Sequence, residues 1–226
     1  MKNKLYAFGC SYTEKNFHSS IHPKWDCSWP KWPELLTNKL DMPCVNLGVS
    51  GSGNDRIYDT AIEQIINNHE KIKIVCILWS NMWRFYAYGY NFNVNSNITI
   101  PERNQRQTHY WNVIDNMYQG YLREFEHDTT AMEFQIETFL KNIINLQKLC
   151  KTFNIELYQW CGTNLINIGR GSFNYKKWKR VALMYDNKLS FYEDKIDQKN
   201  IINFPFVTEL GGNSFSSLIR GDGTVN

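Results

Sequence analysis

A serine, a glycine and an asparagine stand at the ends of three apolar runs, where these residue types could carry out acyl transfer. Ser11 lies in a Gly-Cys-Ser-Tyr-Thr turn after the first run, Gly51 in a Gly-rich turn after the second, and Asn81 two residues after the end of the third. A serine hydroxyl attacks an ester once a base takes its proton, and the resulting oxyanion must meet preorganised donors. The backbone N–H groups of Ser11 and Gly51 and the carboxamide of Asn81 could be those donors. The order of these residues predicts one shared site.

Short apolar runs predict the strands that must position this site. They lie at 5–8, 44–47, 72–79 and 155–160, with a weaker run at 201–204. Apolar residues recur at helical spacing within 57–66 and 139–149, and Thr130 to Glu133 predicts a capping box for the later helix. Alternating strands and helices favour a three-layer α/β/α sandwich with a parallel sheet. Ligands of such sheets bind outside the carboxyl ends of the strands, where the three motif segments fall.

Each motif residue also has a purely structural explanation. The glycines at 48, 51 and 53 could form the tight strand-to-helix turn that any doubly wound fold contains. Ser11 and Asn81 could be ordinary capping or turn residues. Their coincidence at successive strand ends favours a shared site over three unrelated turns.

The Gly-rich segment between Gly48 and Asn54 has two further interpretations. We expect Ser52 or Asn54 to cap the helix that follows and to add the positive end of its dipole to the site. A phosphate-binding loop is disfavoured, because the segment lacks the Gly-Lys-Ser/Thr ending of a P-loop and does not complete Gly-x-Gly-x-x-Gly.

The motifs Gly9-Cys10-Ser11, Gly48 to Asn54, and Ser80-Asn81 resemble blocks of the SGNH, or GDSL-type, hydrolases. The resemblance implies a flavodoxin-like sheet, an ester hydrolase with a Ser11 acyl-enzyme, Gly51 and Asn81 in the oxyanion hole, and neither cofactor nor metal. Cys10 replaces the usual Asp of the first block, a variant similar to phage-associated SGNH-like proteins. The sequence shows no Asp-x-x-His, the fourth block, near its C-terminus.

The catalytic base is therefore unassigned by motif. Four histidines fall on loops that could approach the site, each with a plain surface role as the alternative: His18, His22, His109 and His127. His69 follows a helix that should run away from the active edge, so we expect it to be exposed. Cys10 is an alternative nucleophile, less favoured than Ser11.

The turn-like tail at 221–226 follows the weak fifth run without a closing helix. We therefore expect one SGNH-like domain over 1–226 that lacks its C-terminal block, and a natural reading frame that, if longer, continues into Asp-x-x-His. Without a base, turnover should fall by roughly a million-fold, which would leave the chain incomplete or weakly active.

The segment 82–130 is long and rich in aromatic residues, which predicts an insertion that acts as a lid or specificity surface. A hydrophobic cluster that only anchors the insertion is the alternative. We expect Tyr12, Trp83 and Arg84 to contact a small ester or an O-acylated glycan, although Arg84 could instead pair with a carboxylate. The alternative function is a non-catalytic carbohydrate-binding module on the same fold.

Composition excludes several other classes. The 226 residues carry a net charge of +3, too modest to indicate nucleic acid, and the basic cluster at 176–180 reads as a solvated helix face. The six cysteines are scattered without a Cys-x-x-Cys pair, which predicts reduced thiols and no zinc site. No signal peptide or membrane-spanning run is present, so we expect a cytoplasmic protein, and the phage-like variant suggests a phage-infected host cell.

Overall fold

The computed structural model describes residues 2–18, 24, 26–80, 84–87, 90–93, 129–161 and 175–202. The strands are β1 (Lys4–Phe8), β2 (Cys44–Asn46), β3 (Ile72–Trp79), β4 (Arg84–Ala87), β5 (Tyr90–Asn93), β6 (Glu156–Cys161) and β7 (Ile201–Ile202). The helices are α1 (Trp32–Leu40), α2 (Asn54–Asn68), α3 (Thr129–Thr152) and α4 (Tyr175–Tyr192), followed by short 3₁₀ turns at Glu193–Lys195 and Gln198–Asn200.

Five strands form one parallel sheet in the order β2-β1-β3-β6-β7. On β1, Leu5 pairs with Cys44 of β2 on one side and with Ile74 of β3 on the other. In this flavodoxin-like order, β2 lies on one side of β1 and the later strands lie on the other side. The reversal of strand order creates a topological switch point between β1 and β3. The predicted α/β fold with a parallel, flavodoxin-like sheet is confirmed.

Helices cover both faces of the sheet, as predicted for a three-layer sandwich. On one face, Trp32 and Leu36 of α1 pack against a small cluster built on Leu5, Ala7 and Cys76. The other face carries the larger core, to which α2, α3 and α4 contribute the fully buried Ile65, Leu140 and Tyr185, among others. The apolar run of β3 is buried on both faces because it lies at the centre of these layers.

Local sequence explains where α1 and α2 lie. Pro33 stands in the first turn of α1, where a missing N–H costs no helical hydrogen bond, and Asp41 ends the helix with a left-handed φ of 49°. In α2, Ile57, Ala61 and Ile65 recur every fourth residue and form the buried stripe that packs on the sheet.

The predicted strands coincide with β1, β2, β3 and β6, and the weaker run contains β7. The predicted helical stretches lie within α2 and α3. The predicted capping box is wrong, because α3 begins at Thr129 and Thr130 already has helical backbone, whereas an N-cap residue does not.

The segment after β3 begins with a separate antiparallel pair, in which Arg84 of β4 pairs with Asn93 of β5. The pair lies within the predicted insertion at 82–130, most of which is outside the described residues, so its role as a lid or specificity surface stays a prediction. No helix among the described residues is both long and apolar enough to span a bilayer.

Candidate functional site

A single helical turn at the carboxyl end of β1 carries the predicted nucleophile. The carbonyl of Cys10 accepts hydrogen bonds from the N–H groups of Thr13 and Glu14, at 2.8 and 3.0 Å. Thr13 is completely buried, whereas Tyr12 is 50% exposed and Ser11 is partly exposed. The turn is therefore anchored on its Thr13 side and open to solvent at Ser11 and Tyr12.

Two glycines allow this turn to lie close to its neighbours. A Cβ at Gly9 would overlap with the Thr13 hydroxyl and stand 3.1 Å from the Leu78 carbonyl of β3. A Cβ at Gly48 would lie 2.6 Å from both the Glu14 nitrogen and the Thr13 Cβ. Glycine is needed at both positions because backbone or a buried side chain fills the space, not because of an unusual φ.

The Gly-rich loop after β2 binds directly to the Ser11 turn. The N–H of Val49 donates to the Gly9 carbonyl at 3.1 Å, and the N–H of Ser50 donates to the Glu14 carboxylate at 3.1 Å. Gly51 follows with a φ of 80°, a left-handed conformation that glycine adopts without strain. These contacts bring the loops that contain Ser11 and Gly51 to one edge of the sheet.

The side chain of Asn46, the last residue of β2, forms hydrogen bonds with both of these loops. Its amide nitrogen donates to the Thr13 carbonyl at 2.7 Å, and its amide oxygen accepts from the N–H of Gly48 at 3.0 Å. The side chain therefore fixes the Ser11 turn and the start of the Gly-rich loop at the same time.

The start of α2 is tied to the end of β3. Asn54 Oδ1 accepts a hydrogen bond from the Ser80 N–H at 2.7 Å, and Asn54 Nδ2 donates to the Ser80 carbonyl at 3.0 Å. Asn54 and Ser80 are only 6% and 2% exposed. This pair of bonds connects the Gly-rich loop to the β3 end, the last of the three motif segments.

The expectation that Ser52 or Asn54 caps α2 is wrong. The N-cap is Gly53, with extended backbone and no side-chain cap bond. Asn54 is the first helical residue and its side chain is used by Ser80, while Ser52 is buried with its N–H bonded to the Val49 carbonyl at 3.1 Å.

The predicted site residues divide into two groups. Ser11, Tyr12 and Gly51 lie on linked loops at the carboxyl edge of the sheet, although their catalytic and binding roles stay predictions. Asn81 and Trp83 are outside the described residues, and of Arg84 only the backbone is described, at the start of β4.

Two of the five histidines, His18 and His69, are among the described residues, and of these two His18 is the one that lies near the Ser11 turn. His18 is exposed in the loop that follows the Ser11 turn. His69 stands at the C-terminal end of α2, at the opposite ends of the strands from Ser11, as predicted. It is half-buried and not exposed, because its ring stacks on the ring of Phe153 with the centroids 4.2 Å apart. Three histidines are outside the described residues: His22, His109 and His127.

The cysteines act as core residues. All six are free thiols, and burial raises the pKa of Cys76 and of Cys150 to about 12, so these thiols stay protonated at neutral pH. Within the described ranges, no group of His, Cys, Asp and Glu side chains is arranged to hold a metal ion.

Sequence reasoning missed the polar side chains that hold the loops together: Glu14, Asn46 and the bridging role of Asn54. Asn46 gave a usable signal, because a polar residue at the end of a partly buried parallel strand requires partners. The Asn54 bridge had no local signal, since its partner Ser80 lies on a different element.

The fold is similar to those of several solved structures at low sequence identity. One is a protein assigned to the lipolytic G-D-S-L family from Desulfitobacterium hafniense, with 14% identity, a TM-score of 0.45, and coverage of 96% of this chain and 86% of that chain. A serine-to-alanine mutant of the esterase AlinE4 shows 12% identity and a TM-score of 0.44, covering 100% and 87%. Est24, a carbohydrate acetylesterase from Sinorhizobium meliloti, shows 12% identity and a TM-score of 0.38, covering 85% and 81%. No protein-family model and no curated protein sequence matches the chain.

Proposed function

We propose that the protein is a serine ester hydrolase of the SGNH type, with Ser11 as nucleophile and Gly51 and Asn81 as oxyanion donors. The observation that carries the proposal is the chain of hydrogen bonds at the β1/β3 switch point. The hydrogen bond from the Val49 N–H to the Gly9 carbonyl joins the Ser11 turn to the Gly-rich loop. The two hydrogen bonds between Asn54 and Ser80 then join that loop to the residue before Asn81. Acyl transfer requires these groups to converge on one carbonyl.

In the proposed reaction, Ser11 Oγ attacks the ester carbonyl while a base takes its proton. The negative charge on the carbonyl oxygen is met by the N–H groups of Ser11 and Gly51 and by the Asn81 carboxamide. The first N–H groups of a helical turn have no partner within it, which suits the position of Ser11 in the turn after β1. The alcohol leaves with the proton, and water then hydrolyses the acyl-enzyme and restores Ser11.

Accessibility favours Ser11 over Cys10 as the nucleophile. Cys10 is only 3% exposed, whereas Ser11 is partly exposed on the open side of the same turn. A substrate carbonyl can therefore reach the hydroxyl without displacing the turn, but it cannot reach the thiol.

We propose that the substrate is a small ester or an O-acylated glycan, and that Tyr12, Trp83 and Arg84 contact it. Tyr12 is half exposed directly beside Ser11, so its ring can pack against an acyl group or a sugar. The proposed base is a histidine from the loops at this edge, and His18 is the one that the described residues include.

The test is hydrolysis of p-nitrophenyl acetate by the purified chain and by Ser11→Ala. We expect Ser11→Ala to hydrolyse the ester no faster than buffer alone, whereas Ser190→Ala, a matched control on the exposed surface of α4, should keep the rate of the unmodified chain. Acid quenching followed by mass spectrometry should find the acetyl group on Ser11 of the unmodified chain. Equal hydrolysis by Ser11→Ala and the control would contradict the proposal, even if esterase activity were present.

A second candidate function is glycan binding without catalysis. The exposed aromatic rings of Tyr12 and Trp29, 50% and 55% exposed, lie on the connection between β1 and α1 and favour it. In that case Ser11→Ala would leave glycan binding unchanged and no acyl-enzyme would form, whereas Tyr12→Ala would weaken binding.

A further inference from the structure

We infer that Asn54 is a positioning residue, which holds Ser80, the residue before the proposed oxyanion donor Asn81, against the start of α2. This inference rests on the proposed function. Gly51 lies three positions before Asn54, and Asn81 directly follows Ser80, the residue that Asn54 holds. The Asn54 side chain thus links the residue before Asn81 to the helix that follows the Gly-rich loop.

The chemistry of the bridge explains why asparagine occupies this position. A carboxamide presents a donor and an acceptor on adjacent atoms, which matches the N–H and carbonyl of a single peptide residue. Asn54 uses both against Ser80, at 2.7 and 3.0 Å, in a place where water has little access. Two bonds from one planar group define an orientation as well as a distance, so the β3 end cannot rotate relative to the start of α2.

Rigid neighbours make this link mechanically effective. Asn54 is the first residue of α2 and directly follows the N-cap residue Gly53, so its position is set by the helix. Ser80 follows the central strand β3, which is buried from Ile74 to Trp79. A displacement of about 1 Å in a catalytic group can cost about 100-fold in rate, so loss of this link should affect turnover more than substrate binding.

The experiment compares Asn54→Ala and Asn54→Asp with Ile57→Val in ester hydrolysis, with kcat and KM measured separately and thermal stability measured on each protein. We expect Asn54→Ala to lower kcat by about 10- to 100-fold with KM within about twofold. Asn54→Asp keeps the acceptor for the Ser80 N–H and suits the first turn of a helix, but it loses the donor to the Ser80 carbonyl, so we expect an intermediate loss of kcat. Ile57→Val should lower the melting temperature and leave kcat unchanged, because it disturbs the packing of α2 but not the bridge.

The outcomes separate the two hypotheses. Hydrolysis that depends on Ser11 but keeps its kcat in both Asn54 variants would overturn the positioning role and leave the proposed function standing. A kcat loss in Ile57→Val as large as that in Asn54→Ala would also overturn it, since the effect would then follow stability alone. Absence of any Ser11-dependent hydrolysis would overturn the proposed function and this inference with it.

Discussion

The indole Nε1–H of Trp32 donates a hydrogen bond to the Thr13 hydroxyl at 3.1 Å, which joins the first residue of α1 to the turn that carries Ser11. Thr13 is completely buried, and the Trp32 ring packs edge-on against Trp160 of β6 with the ring centroids 4.7 Å apart. The short helix α1 therefore does more than cover one face of the sheet, because it also fixes the turn at the β1 end.

Replacement of Trp32 by Phe tests this role. Phenylalanine keeps an aromatic ring against Trp160 but cannot donate to Thr13, so we expect a loss of about 1 kcal/mol in the free energy of unfolding, measured by urea denaturation. The proposed hydrolysis by Ser11 should fall in parallel. The matched control is Trp29→Phe, since Trp29 is 55% exposed and should tolerate the change. Equal stability of the two variants would show that the indole bond does not hold the turn.

A methyl group at Gly48 should be poorly tolerated. Its Cβ would stand 2.6 Å from the Glu14 nitrogen, which is backbone and cannot turn away as a side chain could. We expect Gly48→Ala to destabilise the fold by about 1–3 kcal/mol in urea denaturation and to weaken hydrolysis, because the Ser11 turn must shift. Gly53→Ala is the comparison, since Gly53 has an extended backbone with φ −82°, open to any residue. The interpretation fails if Gly48→Ala is the more stable of the two.

Asn81 should matter for the transition state and little for substrate affinity. If its carboxamide meets the developing oxyanion, Asn81→Ala should lower kcat by about 100- to 1,000-fold while KM changes little. Steady-state kinetics on an activated acetyl ester separate the two constants. An increase in KM at constant kcat would instead assign Asn81 to ground-state binding.

The stabilisation that the ionised Glu137 carboxylate contributes should be lost as the pH falls below 4.5. Lys141, first of all, with Lys188 and Tyr192, lowers the pKa of the Glu137 carboxyl to about 2, through contacts at 2.7, 3.1 and 3.0 Å. Since the folded-state pKa of Glu137 is below the ordinary value of 4.5, the stabilisation is present above that value and is lost as the pH falls towards 2.

The measurement for Glu137 is the melting temperature as a function of pH. We expect Glu137→Gln to be less stable than the unmodified chain at pH 6 and the difference to shrink as the pH falls through this range. Glu133→Gln is the control, because its only described ion pair, to Lys188, is longer at 3.8 Å. A difference that stays constant down to pH 2 would assign the effect to packing and not to ionisation.

Sequence alone predicted the sheet well because most of its strands are rich in apolar residues, β3 above all. Ile72 to Trp79 could hardly be anything other than a buried central strand, and the position of Ser11 and Gly51 after such runs followed from the parallel arrangement. The roles of individual polar side chains could not be predicted in the same way. Asparagine is a common helix-capping residue, yet the Asn54 side chain bonds to Ser80. Ser80 follows β3, which only the tertiary fold brings close to the start of α2.

The sheet order has a consequence for how the chain folds during synthesis. β1, β2 and β3 can pair as soon as the first part of the chain has left the ribosome, but β6, which pairs with β3, is made only after the whole of 80–155. Until then one edge of β3, the most apolar strand, has unpaired N–H and carbonyl groups. Such an edge is a template for strands of other chains, so nascent or shortened forms that end before β6 should aggregate through β3.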